Sequence, residues 1–219
     1  KQKYRVGIIS NQASVTNSLK YSHIELSKCL QIQYLFSPQH GFYSTEQANM
    51  IESSDAVDDL SAIKIVSLYS STRRINIKYL KHLDALIFDL QDVGSRYYTY
   101  LWTLYYCLEA AEKTGLKIII LDRPNIINGL QLEGNLIGAG YESFVGLHPV
   151  LNRYGLTVGE FALLLKAEKF NDVDLEIIKL SGWSRAGYFD EYDNKWIPAS
   201  PNVPTIDTAV VYPGMCLFE

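Results

Sequence analysis

The chemistry-bearing residues of this chain follow short hydrophobic runs. The run Gln31 to Phe36 passes into Ser37-Pro38-Gln39-His40-Gly41-Phe42, which sets an imidazole beside a glycine. Gly41 suits a backbone conformation that a side chain would forbid. A second run ends in Asp89-Leu90-Gln91-Asp92 and continues through Gly94, Arg96, Tyr97 and Tyr98. Asp89 lies inside a strand pattern, where an unpaired charge is costly, so it needs a cation; Arg96 and Arg123 are both suitable. Three further runs end in polar groups: Ser10-Asn11-Gln12, Tyr69 followed by Arg73-Arg74, and Asp122-Arg123-Pro124-Asn125. Tyrosine rings among carboxylates, amides and guanidinium groups suit a carbohydrate, although a chain with 16 Tyr clusters some of them regardless.

These residues need a frame. The runs Arg5–Ser10, Gln31–Phe36, Lys64–Tyr69, Ala85–Leu90, Lys117–Asp122 and Leu175–Leu180 read as strands. Helical patterns separate them at Asn17–Leu30, Asn76–His82, Tyr97–Thr114 and Thr157–Phe170. Leu19, Ile24, Leu26 and Leu30 are the expected core positions of the first helix. Gly115 closes the third, and Thr157 with Glu160 forms a capping box for the last. Buried Ile- and Val-rich strands alternating with helices predict an α/β fold, a Rossmann-like parallel sheet with helices on both faces. Residues 123–155 and 181–219 show no period and read as irregular segments around a cleft, the second forming a C-terminal extension. In such sheets ligands bind beyond the carboxyl ends of the strands, where all the residues above fall.

The 219 residues are 47% hydrophobic and 20% charged, with a net charge of -4, ordinary for one large globular domain. The charge gives no reason to expect nucleic acid, and no apolar run approaches the ~20 residues of a membrane span. Neither G-x-G-x-x-G, a Walker loop, nor a G-x-S-x-G elbow is present. The histidines His23, His40, His82 and His148 lack metal-ligand spacing, so neither a metal nor a cofactor is expected. Cys29, Cys107 and Cys216 form no C-x-x-C pair and read as small buried hydrophobes.

Taken together, Gly7–Gln12, Phe36–Phe42, Phe88–Tyr100, Leu121–Asn125, Leu132–Gly134, Ser143–Leu147, Ser200–Thr205 and Tyr212–Glu219 resemble the N-terminal domain of the exo-β-N-acetylmuramidase family (NamZ-like). The likeness runs in order through nearly the whole chain, and FDLQDVGSRYYTY is its most specific motif. It implies a glycoside hydrolase that releases N-acetylmuramic acid from peptidoglycan fragments. The cleft would lie at the strand ends beside a smaller C-terminal domain, which continues beyond this chain and is an expected partner. The compartment stays open: the family implies export, whereas no leader pattern opens this sequence.

The family's loop after the second strand reads S-P-E-H-G-F-R-G, and its glutamate is the leading catalytic group. Here that position is Gln39, and the next Arg and Gly are Tyr43 and Ser44. An amide can neither donate a proton to a glycosidic oxygen nor take one from water at neutral pH. Glu46, Asp89, Asp92 and Glu133 are the carboxylates that could substitute; Asp92 and Glu133 lie in matched motifs and come first. The expected centre is therefore Gln39, His40, Asp92 and Glu133. Asn11, Phe42, Asp89, Gln91, Tyr98 and Asp122 would line the sugar site. Arg73, Arg96, Arg123 and Arg153, with Arg74, are candidates to clamp the lactyl carboxylate. The divergent stretch Tyr43–Asp55 would shape the pocket. Two alternatives remain: a sugar-binding homologue that has lost hydrolysis, and a hydrolase of another acidic sugar.

Overall fold

The computed structural model describes residues 3–46 and 52–218; part of the divergent Tyr43–Asp55 stretch lies outside the described residues. Seven strands form one sheet: β1 (Arg5–Ile9), β2 (Gln31–Ser37), β3 (Ala56–Val57), β4 (Lys64–Ser67), β5 (Ala85–Phe88), β6 (Lys117–Leu121) and β7 (Leu175–Ile178). Their order is β3-β4-β2-β1-β5-β6-β7. All pairs are parallel except β3–β4, whose two-residue edge strand is too short to carry a period in the sequence. The chain adds β2 and then the antiparallel β3–β4 pair on one side of β1, then returns to β5 and works outward on the other. The crevice between the loops after β1 and β5 is thus the point where strand order reverses.

Alternation along the strands divides the core. Ile9, Phe36, Phe88, Ile118 and Ile120 pack beneath α2 (Tyr100–Thr114) and α3 (Val158–Glu168), whereas Val6, Ile8, Leu35, Ile65 and Ile87 face the other way. Ten residues of α2 are buried, and Trp102 meets Phe161 edge-on at 5.7 Å. Gly115 ends α2 at φ 68, and the Thr157–Glu160 capping box opens α3. Gly7 keeps β1 close to β2: a Cβ there would lie 2.6 Å from the Phe36 ring.

The opposite face is covered differently from expectation. Asn17–Leu30 is not one helix; α1 spans only Ser22–Leu26. A Val15–Tyr21 bridge and the Thr16–Lys20 backbone bond fold the preceding residues into a turn. Leu19 sits there at φ 60 and 46% exposed, outside the core, because its turn points it away from the sheet. Cys29, past the helix end, is exposed, while Cys107 is buried in α2. Asn76–His82 shrinks to a 3-10 turn at Ile77–Tyr79, capped by the Asn76 side chain. The C-terminal extension is not wholly irregular: α4 spans Ile206–Met215, with Thr205 capping it and Pro213 inside it. Proline and glycine near its end hid this helix in the sequence.

Candidate functional site

The loop after β2 is built on backbone strain. His40 adopts φ 72 and Gly41 φ 76. A non-glycine residue there costs about 1–2 kcal/mol, so surrounding contacts must hold it. His40 supplies two of them: its Nδ1 lies 2.7 Å from the Glu46 carbonyl oxygen, and its own carbonyl accepts from Glu46 N–H at 3.3 Å. The chain therefore folds back on itself and brings Glu46 beside the loop, its Cγ 3.8 Å from where a Cβ on Gly41 would sit. Gln39 is half-buried, and its Oε1 accepts from Thr99 Oγ1 at 2.8 Å. Phe42 is an anchor, buried against His23 at 5.5 Å and Tyr43 at 5.0 Å. Beneath it, burial pushes the fully enclosed His23 below the ordinary imidazole value, with Nε2 3.4 Å from Asp58.

Arginine positions relative to this loop differ sharply. Leu68 N–H donates to Ser37 O at 2.9 Å, so the chain leaves β4 beside the loop. Arg73 follows, its guanidinium 3.6 Å from the centre of the Tyr69 ring and donating to the Ser70 carbonyl. Among the described residues it makes no ion pair, whereas Arg74 is bound to Glu109 at 2.9 Å. Arg96 donates to the carbonyls of Asn135 and Val150, and Arg153 to that of Ile127 and to Tyr188 Oη. Both are buried and hold carbonyls of the irregular segment 123–155.

The two carboxylates favoured from the sequence sit in different surroundings. Asp92 is 3% exposed, accepts from Tyr154 Oη and from Gly94 N–H, and burial pushes it up to about 7. Glu133 is exposed and sits 3.5 Å from Arg153, across a two-residue bridge. Asn11 is spent on structure: its Nδ2 donates to Tyr100 Oη and Ala199 O, pinning the C-terminal extension over β1. Tyr98 is buried against Tyr100 at 4.5 Å.

A second group gathers beyond β1, β5 and β6. Asp89 takes Arg123 as its partner, Nε to Oδ1 at 2.7 Å. Asp122 accepts from Thr157 Oγ1 and Gly159 N–H and so ties β6 to the start of α3; burial raises its carboxyl above the ordinary value. Gln91 donates to the Asp92 and Pro124 carbonyls. Asp89, Gln91, Asp122 and Arg123 line a cleft of about 360 Å³ together with Ser22, Lys195 and Trp196. Neither Gln39 nor His40, Asp92 nor Glu133 belongs to its wall. Thr99, Ser22 and Trp196 carried no functional signal in the sequence, since each acts through a neighbour supplied by a distant segment.

The fold and these groups define a doubly wound α/β domain with its polar side chains at the carboxyl ends of the strands. Residues 6–207 match the family model described as exo-beta-N-acetylmuramidase NamZ, N-terminal. The chain belongs to this family. It is 39% identical over 217 residues to the peptidoglycan beta-N-acetylmuramidase NamZ of Bacillus subtilis (strain 168), covering 98% of this chain and 52% of that protein. It therefore spans about half the length of the curated relative it matches. Two crystal structures of DUF1343 family proteins from Bacteroides fragilis superpose with TM-scores of 0.89 and 0.83, at 35% and 31% identity. They cover 98% and 100% of this chain and 55% and 57% of theirs.

Proposed function

We propose that this domain contributes the catalytic loop of an exo-acting β-N-acetylmuramidase that releases N-acetylmuramic acid from peptidoglycan fragments, with Glu46 taking the acid role that Gln39 cannot fill. The observation that carries the reading is the left-handed backbone at His40 and Gly41, in a loop that folds back so that a carboxylate returns to it. A strained backbone persists where surrounding structure enforces it, and function is a common reason. Arg73 supports the same reading: a guanidinium stacked on Tyr69, without an ion pair among the described residues, beside the strand that feeds the loop. It would read the sugar's carboxylate. Asp92 is half-protonated near neutrality, but its burial and its bonds to Tyr154 and Gly94 fit a structural role better.

The mechanism needs a carboxyl that donates to the leaving glycosidic oxygen. Gln39, held by Thr99, would serve as a hydrogen-bonding group. The test is turnover of a chromogenic N-acetylmuramide by the full-length protein and its Glu46→Gln and Gln39→Glu variants. Glu46→Gln should lower turnover by about 10²–10⁴-fold. Unchanged turnover in Glu46→Gln overturns the assignment. Gln39 itself favours a second reading, a sugar-binding homologue without hydrolysis; turnover only in Gln39→Glu would establish it.

A further inference from the structure

His23 is enclosed more completely than an imidazole ordinarily tolerates. It is the second residue of α1, and its side chain is 0% exposed. Neither ring nitrogen makes a hydrogen bond among the described residues, although Nε2 lies 3.4 Å from Asp58 Oδ2. Asp58 is already filled: Oδ1 accepts from Tyr43 Oη at 2.5 Å, and Oδ2 from the N–H and hydroxyl of Ser61. The His23 ring acts instead as a packing surface. Phe42 meets it edge-on at 5.5 Å, and Tyr21 lies against it at 5.4 Å. A plain aromatic ring would pack there without leaving polar atoms unpartnered in the interior.

The surrounding groups decide what a proton does at this ring. Burial holds His23 below the ordinary imidazole value, against the charges of Asp58, from the turn after β3, and Asp89, at the end of β5. Burial also works to raise Asp58, but the bonds from Ser61 and Tyr43 outweigh it and keep that carboxyl below its usual range. Burial and the Asp58 bond push Tyr43 up to about 12. Of these three groups, His23 is therefore the one that changes charge on mild acidification. With both nitrogens enclosed, a proton reaches the ring only when one of its covers moves. The loop carrying Phe42 is the cover under strain: it closes around two left-handed residues, with backbone bonds of 3.2 Å from Gly41 N–H to Pro38 O and 3.3 Å from Glu46 N–H to His40 O. We infer that His23 is a positioning residue for the loop at Gln39: its neutral ring seats Phe42 and keeps the loop closed, and acid opens it. That the closed loop is the catalytic form rests on the function proposed above; the coupling between proton and closure does not.

Hydrogen–deuterium exchange of the full-length protein tests this, read by mass spectrometry in peptides covering residues 38–46, with rates divided by those of the unfolded chain. A value lowered from 6.5 gives protection that is full above about pH 6.5 and is lost as pH falls below it. Protection should therefore fall about 3–10-fold between about pH 7.5 and pH 5.5, as expected for one proton. His23→Phe keeps a ring against Phe42 and cannot titrate, so its protection should not vary over this range and its thermal midpoint should not fall. His23→Gln, polar but uncharged, should lose the same pH dependence, so the test survives a phenylalanine that does not fold. Flat protection in the unaltered protein overturns the inference. So does an equal fall in the variants, which would assign the proton to another group, such as His40. This readout needs no turnover, so it stands or fails apart from the assignment of Glu46. Where hydrolysis is present, an acid limb of kcat that His23→Phe leaves in place overturns the positioning role.

Discussion

The loop at Gln39 and the cleft at Asp89 lie past the carboxyl ends of one sheet, on either side of β1, but they are specified in different ways. The loop is specified by backbone: two successive left-handed residues, a carbonyl–imidazole contact and a doubled bond between residues 40 and 46. Its shape is set by main-chain geometry rather than by the side chain at position 39. The cleft is specified by side chains from distant segments: α1, the ends of β5 and β6, and the C-terminal extension. There, one change of atom type alters the site directly. A backbone-built centre can exchange its functional group, whereas a side-chain-built one must keep it.

Three substitutions would break or sharpen this contrast. At a single pH the largest effect is expected at the cleft. Asp89→Ala leaves the Arg123 guanidinium without its carboxylate in a mostly buried setting, and should cost about 3 kcal/mol in urea denaturation. A loss below about 1 kcal/mol would mean that water already shares that pair. The next is at the loop. Gly41→Ala meets nothing closer than the Glu46 Cγ at 3.8 Å, so backbone strain alone should destabilise it, by about 1–2 kcal/mol. Turnover should fall with it, because the return of Glu46 depends on that conformation. Unchanged stability would show that the loop does not hold its left-handed geometry in solution.

The third effect is a slope against pH rather than a loss at one pH, and it is expected at Asp92. Its folded value of about 7 exceeds the ordinary 3.8, so the folded state binds this proton more tightly than the unfolded chain does. The sign follows: this contribution is fully present below about pH 4 and is lost as pH rises toward 7. Over that window Asp92 alone lowers stability by at most about 1.4 kcal/mol per pH unit. Asp92→Asn should flatten the slope while leaving an oxygen for Tyr154. Stability-versus-pH curves that coincide for the two proteins would show that Asp92 ionises freely.

Much of the frame was legible because burial leaves a local mark. Continuous apolar runs such as Ala85–Phe88 have no other home than a sheet covered on both faces, and Gly115 and the Thr157–Glu160 pair mark helix ends within a few residues. The first helix was misjudged because Leu19, Ile24, Leu26 and Leu30 keep helical spacing, while a backbone turn at Thr16–Lys20 takes the first of them away. The last was missed because Pro213 and Gly214 disguise a helix whose cap and first turns are regular.

The parallel sheet, the strand-end location of the polar residues and the family were legible in the chain alone. These depend on residue type and order, which a linear string carries. Only the tertiary structure decided what each polar group is spent on. Arg96 and Arg153 brace carbonyls, Asn11 pins a distant strap, and Asp92 is enclosed by Tyr154. Glu46 returns to the loop, and Asp89 and Ser22 line one cleft. A hydrogen bond satisfies one partner at the expense of others, and that choice is made by segments tens of residues apart, after the core has packed.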